Sequence, residues 1–318
     1  MNKTLFAYLT AATVLMPACS TMSQGEYTAG WSVEEKTEVI KLNNGFSLRY
    51  LRAGRGRPLI LLHTLRTQLD YFQKLVPALK GQYQVYVLDL PGHGQSSILP
   101  TEYTEELLRK SVSEFIKQLN LRDVTLVGES IGGTLALTVS AELPERVVPA
   151  VALNPYDYGE DFGGGIRRSS NGWIIGFFNV FGKYTVEPKF LLAAVLRGGF
   201  YDPSKLPADL LDEFYRTGLR DGYRAAEYSV FKNWQTWVDA RQLYSRITIP
   251  VTLVYSRDDW SKQPERERNK QAIRNSELII LEQAGHFSAL EKPAEVAGII
   301  LSQRNDGWRI KPNKEGIE

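Results

Sequence analysis

Ser130 and His286, with the acids Asp258 and Asp259 between them in the chain, are residue types that could serve as a nucleophile, a base and the acid that orients it. The serine lies in Gly128-Glu129-Ser130-Ile131-Gly132. Asp123 to Val127 precedes it and reads as a buried strand; Gly133 to Ala141 follows, small and apolar, and suits a helix packed tightly on a sheet. A G-x-S-x-G pentapeptide between strand and helix is the nucleophile elbow, whereas an ordinary glycine-rich strand-to-helix turn is the competing reading. The elbow holds its serine in a strained conformation, so its outer neighbours must lack bulk, and both are glycine. The Ile131 amide then points from a helix N-terminus towards a developing oxyanion. A serine needs a base, and the chain has three histidines. His63 and His93 precede the serine. His286 follows it in Gln283-Ala284-Gly285-His286-Phe287, between the apolar run Leu278 to Leu281 and a helix that Pro293 would start. Between serine and histidine, the strand-like run Val251 to Tyr255 ends in Ser256-Arg257-Asp258-Asp259.

Nucleophile, acid and histidine, each after a strand, follow the chain order of one fold. Here the chain resembles the α/β-hydrolase superfamily over about residues 37–303. Leu61-Leu62-His63 is similar to that family's oxyanion-loop strand, and Asp89-Leu90-Pro91-Gly92-His93-Gly94-Gln95-Ser96 to its D-x-P-G-x-G-x-S loop. Gly285-His286-Phe287 with Glu291-Lys292-Pro293 is similar to its catalytic-histidine segment. The resemblance implies a mostly parallel eight-stranded sheet flanked by helices, with a helical cap inserted after the sixth strand. It places the acid fourth after its strand, at Asp259, with Asp258 and Asp157 as alternatives. Asp258 otherwise reads as a turn residue bonding its own backbone.

The resemblance also nominates the amides of Leu65 and Ile131 as the oxyanion hole. His63-Thr64-Leu65-Arg66 departs from the usual His-Gly-x, and threonine adopts a left-handed conformation only at a cost. The loop path is therefore expected to differ, with the Thr64 amide or hydroxyl as fallback donors. Arg66 is expected to be a solvated surface arginine, the alternative being a partner for a substrate carboxylate. His63 and His93 are expected to hold loops, and Glu129 to be a hydrogen-bonded anchor. Serine in the elbow disfavours the haloalkane dehalogenase and epoxide hydrolase branches, which use aspartate there.

At 318 residues with 43% apolar content, the chain is long enough for one large core. Patterning predicts strands near 37–42, 46–52, 58–63, 84–89, 123–128, 147–153, 250–255 and 277–281. Helices are predicted near 68–80, 103–119, 130–142, 264–274 and 293–303, an alternation that implies a parallel sheet covered on both faces. Residues 156–246 interrupt it without a convincing strand, too long for a structureless loop, with helical spacing at 189–197, 207–218 and 221–240. This segment is rich in aromatics, among them Trp173, Phe177, Phe178, Phe181, Tyr184, Phe190, Phe200, Phe214, Tyr223, Trp234 and Trp237. Most would fasten cap helices to the core; some would face the cavity and favour an apolar substrate group. Gly163 to Ser170 reads as a hinge or lid edge, in which Arg167 and Arg168 are solvated arginines or selectors of an anionic substrate.

Met1-Asn2-Lys3, the apolar run Leu5 to Met16, and Pro17-Ala18-Cys19 read as a secretory signal. The segment resembles a bacterial lipoprotein signal, which implies that Cys19, the only cysteine, is acylated. Ser20 after it implies the periplasmic side of the outer membrane; plain secretion is the alternative. The expected organisation is a signal and lipobox (1–19), a polar tether (20–36), a core in two parts (37–155 and 247–304), a cap (156–246) and a tail (305–318). The formal charge of +2, without basic clusters carrying aromatics, excludes an obvious nucleic-acid surface. The expected activity is serine-dependent hydrolysis, through an acyl-enzyme, of a carboxylic ester, or the related thioester or lactone, bearing an apolar group, with no metal or organic cofactor. C–C bond hydrolysis by the same triad and a non-catalytic binding protein of the same fold are the alternatives.

Overall fold

Alternate residues along each central strand enter different cores, and this fixes the architecture. In β3 (Arg57–Leu62), Ile60 and Leu62 pack into one core while Leu59 and Leu61 pack into the other. In β4 (Tyr83–Leu88), Tyr86 and Leu88 face the first core, and Val85 and Val87 the second. A sheet buried on both faces needs such continuous apolar strands, with helices above and below. The computed structural model describes residues 35–158 and 187–303.

Eight strands form one sheet in the order β1-β2-β4-β3-β5-β6-β7-β8. The other six strands are β1 (Lys36–Lys41), β2 (Ser47–Gly54), β5 (Val124–Glu129), β6 (Val147–Leu153), β7 (Val251–Ser256) and β8 (Ser276–Leu281). β1 pairs antiparallel with β2 and β2 with β4; every later pairing is parallel. Each predicted strand lies within two residues of its observed limits. The C-terminal ends of β3, β5, β6, β7 and β8 open on one edge of the sheet, where a doubly wound fold gathers ligands.

Helix ends follow local chemistry. α1 (Val76–Leu79) is short, and the predicted helix over 68–80 is in fact a 3-10 turn (Leu69–Phe72) followed by this single turn. α2 (Glu105–Gln118) starts where Thr104 accepts the Leu107 amide at 3.2 Å, with Glu105 and Glu106 in its first turn. α3 (Ile131–Glu142) has almost no polar face and is buried through Ser140, packed on β5 and β6.

Between β6 and β7 the described cap helices are α4 (Lys189–Arg197), α5 (Ala208–Gly218), α6 (Tyr223–Lys232) and α7 (Trp234–Asp239), then a 3-10 turn (Ala240–Arg246). The single helix predicted over 221–240 breaks at Asn233, whose side-chain amide turns back onto the Ser229 carbonyl at 2.8 Å. Trp237, Phe214 and Tyr223 are buried as expected of fastening residues, whereas Phe190 is 75% exposed and serves neither predicted role. α8 (Gln263–Ala272), α9 (Ser288–Glu291) and α10 (Pro293–Ser302) complete the core. Among the described residues no helix is long and apolar enough to cross a membrane.

Candidate active site

β5 delivers Ser130 to the open edge of the sheet and α3 departs from it. Ser130 has φ 60 and ψ −119, a region that L-residues occupy only under constraint, at about 1–3 kcal/mol. Its neighbours supply the constraint. A Cβ on Gly128 would lie 2.0 Å from the Gly132 carbonyl oxygen, and one on Gly132 would lie 2.1 Å from that of Leu62. No other residue fits either position. The Ser130 amide donates to the Leu153 carbonyl at 2.9 Å, and its own carbonyl accepts from Thr134 and Tyr156, each at 3.0 Å. The turn is thereby bolted to β6.

Across the sheet edge, Asp259 follows β7 and His286 follows β8. Asp259 Oδ1 lies 2.6 Å from His286 Nδ1, and Oδ2 accepts both donors of Ser261, its amide at 2.9 Å. Burial opposes ionisation of Asp259, but the imidazole and the two Ser261 donors together hold its carboxyl below the ordinary aspartate value. The His286 amide donates to the Gly199 carbonyl at 2.6 Å. Its Nε2 is buried without a hydrogen-bond partner among the described residues. The loops bearing Ser130 and His286 meet: Glu129 Oε1 accepts the Ser288 amide at 2.7 Å.

Neither of the other two candidate acids hydrogen-bonds to His286 among the described residues. Asp157 takes the Tyr244 hydroxyl at 2.6 Å and the Asn269 side-chain amide at 2.8 Å, and burial pushes its carboxyl up to about 6. Asp258 is half-buried, and its amide donates to the Ala284 carbonyl at 3.0 Å.

The oxyanion loop turns in an unexpected place. The left-handed residue is Arg66, with φ 65, rather than Thr64 two positions earlier. The amides of Thr64, Leu65 and Ile131 donate to no protein acceptor among the described residues, and so remain available to an oxyanion. His63 fastens this loop. Its Nε2 accepts the Leu90 amide at 3.0 Å, so Nδ1 carries the proton and donates to the Thr64 carbonyl at 2.8 Å. Burial pushes its pKa down to about 3, with nearby His93 adding to the effect, which keeps the ring neutral. His93 donates from Nδ1 to the Pro91 carbonyl at 2.9 Å and is likewise shifted down by burial.

Arg66 corrects both sequence expectations. It is neither solvated nor open to a substrate, because two cap carboxylates hold it: Glu187 at 2.9 Å and Glu227, from α6, at 2.5 Å. Arg224 bridges the same two acids at 2.7 and 2.6 Å. Burial opposes charge on Glu227, yet the two guanidinium groups hold its carboxyl below the ordinary value. The arginine reads as a surface residue because its partners lie more than a hundred positions away, with nothing local to reveal them.

Three further residues hold the site together. Glu129 is the anchor expected of it, accepting from Tyr71, Ser288 and Ala289; burial pushes its carboxyl up. Asn154, at the end of β6, accepts the Ser256 amide at 2.7 Å and donates to the His286 carbonyl at 3.1 Å. Glu291 accepts three amides, from Gly285 at 2.8 Å, Tyr201 at 3.1 Å and Asp202 at 2.7 Å. Asn154 has a signal in the sequence, a polar residue closing a buried apolar strand. Glu291 is itself part of the Glu291-Lys292-Pro293 segment already quoted, and Trp260 directly follows Asp259. Cys19, Arg167, Arg168, the Gly163 to Ser170 stretch and the aromatics Trp173, Phe177, Phe178, Phe181 and Tyr184 lie outside the described residues. Among the described residues no cluster of histidine, cysteine or carboxylate side chains is placed to hold a metal ion.

A family model described as alpha/beta hydrolase fold matches residues 57–293. The chain is 25% identical over 256 residues to YugF, an uncharacterized hydrolase of Bacillus subtilis, covering 79% of this chain and 90% of that protein. It is 24% identical over 288 residues to a 2-hydroxy-6-oxo-6-(2'-aminophenyl)hexa-2,4-dienoic acid hydrolase of Metapseudomonas resinovorans, covering 85% and 93% of the two chains. Three other curated relatives are matched over less than half their own length, at 46%, 43% and 45%. Among solved structures, a bacterial membrane phospholipase A superposes with a TM-score of 0.72 at 21% identity over 87% of each chain, a likeness of fold.

Proposed function

The chain belongs to the α/β-hydrolase family, and from that premise we propose that it is a serine hydrolase of carboxylic esters bearing an apolar group, acting through an acyl-enzyme. One observation carries the reading: Asp259 fixes the His286 ring through Nδ1 and leaves Nε2 buried and unpartnered, beside a loop tied to the elbow. In this mechanism His286 takes the Ser130 proton as the hydroxyl attacks the carbonyl carbon. The Ile131 amide, with that of Leu65, receives the negative charge on oxygen. His286 then protonates the leaving alcohol. The same ring next deprotonates a water, which attacks the acyl carbon, and the acid departs as Ser130 regains its proton. Asp259 remains ionised throughout, consistent with its lowered pKa.

The buried ion-pair cluster bears on substrate class. A substrate carboxylate, as in an acidic dienoate, finds neither Arg66 nor Arg224 available, since both are committed to Glu187 and Glu227. An uncharged ester has no need of either. In the same proposal, acylated Cys19 anchors the enzyme at a membrane outside the cytoplasm, and Cys19→Ser releases it from the membrane fraction.

The decisive experiment is mass spectrometry after treatment with a fluorophosphonate probe, beside a Ser130→Ala control. A single adduct on Ser130, absent from the control, supports the reading and leads to a panel of esters of graded acyl length. Absence of an adduct on folded protein overturns it.

A further inference from the structure

Trp260 follows Asp259 directly, and its indole lies parallel to the His286 imidazole, with ring centroids 4.0 Å apart and planes 13° apart. The stack is held from outside. Phe287 meets Trp260 edge-on at 6.0 Å, and a Cβ on Gly199 would come within 3.0 Å of the indole. An indole face carries negative quadrupolar potential, which attracts an imidazolium far more than a neutral imidazole. An interaction that strengthens as charge develops lowers a barrier rather than merely binding the ground state.

We propose that Trp260 is a positioning residue for the base: it fixes the plane of the His286 ring and stabilises the imidazolium formed when Ser130 gives up its proton. This rests on the serine-hydrolase reading. Other titratable and charged groups lie on the elements around the histidine. Asp259, on the turn after β7, holds Nδ1, with Tyr158 close to it. Half-buried Asp258 lies on the same turn. Glu129, at the end of β5, is occupied by Tyr71, Ser288 and Ala289. Glu291 of α9 is occupied by Gly285, Tyr201 and Asp202. Arg266 of α8 stands one residue further off, donating to Ser261. Trp260 adds to this set an electrostatic contribution that carries no net charge and approaches the ring from its face.

The test is a pH titration of the histidine side chains by NMR in the full-length chain. There are three histidines, and His286→Gln identifies the relevant signal. Trp260→Leu keeps apolar bulk over the ring while removing the π face; Trp260→Phe keeps a weaker one. The titration midpoint of His286 is expected to fall by about half a unit to one unit in the Leu variant, with the Phe variant between. The acid limb of the pH profile for fluorophosphonate labelling is expected to move to lower pH by the same amount, while the plateau rate falls about tenfold. An unchanged or raised midpoint in a folded Leu variant overturns the proposal and leaves Trp260 as packing. A wild-type chain that fails to react with the probe defeats the hydrolase reading, while the NMR midpoints still decide the stack.

Discussion

The serine elbow and the loop that carries Arg66 leave adjacent strands, β5 and β3, and they are secured in opposite ways. At the elbow, backbone geometry does the work: glycines at 128 and 132 admit a close approach that any side chain would block. At the Arg66 fastening, two arginines and two glutamates from distant stretches of chain meet in the interior. The elbow depends on space that stays empty, so a single methyl group breaks it. The fastening depends on balance, because removing one member strands charges away from water. Local sterics and long-range electrostatics thus secure the two halves of one candidate oxyanion hole.

The contrast can be broken or sharpened by substitution. The largest effect is expected from Asp259→Asn, which leaves shape intact but removes the acid that orients His286; kcat on a reactive ester should fall about 10⁴-fold with little change in thermal midpoint. A fall of less than tenfold would return the acid to another residue. Next comes Glu227→Gln, which leaves Arg66 and Arg224 sharing one carboxylate, for a loss of about 3 kcal/mol in urea unfolding. An unchanged urea midpoint would show that the cluster is solvated and spoil the comparison.

A smaller effect concerns His63. Its folded pKa of about 3 lies below the ordinary histidine value, so the unfolded chain binds the extra proton between these pH values. Its contribution to stability is therefore whole above about pH 6.5 and is lost as pH falls towards 3, at about 1.4 kcal/mol per pH unit. His63→Gln should flatten the acid side of the stability profile relative to wild type, whereas an unaltered slope would mean that the ring is charged when folded. The smallest effect is expected from Asp258→Asn, within about twofold in kcat, since Asp258 makes a turn and no contact with His286 is seen. A loss comparable to that of Asp259→Asn would merge the two acids into one functional unit.

The same contrast explains what the sequence disclosed. The strands, α3, the elbow and the His286 loop are written in short-range pattern: apolar runs, paired glycines, a proline at a helix start. The helix predicted over 221–240 breaks at Asn233, whose side-chain amide bonds the Ser229 carbonyl one turn back and also Glu102 at 2.7 Å, the second a tertiary contact that helical spacing does not record. Arg66 departs from its expected solvated state for a related reason. Its two glutamate partners belong to cap elements, and nothing within ten residues distinguishes a buried arginine from a solvated one. Trp260 stood beside the acid throughout, but only geometry turns an adjacent aromatic into a stacked one.

Glu291 has a consequence for how this molecule can be re-engineered or can diverge. One carboxylate gathers amides from the roof, at Tyr201 and Asp202, and from the loop of the proposed base, at Gly285. The adjoining Gly199 carbonyl receives the amide of His286 itself. Roof and base are therefore not separable modules. Swapping in a foreign roof to broaden substrate range must preserve the seam at residues 199–202, or the transplant will deliver a new cavity over a misaligned histidine.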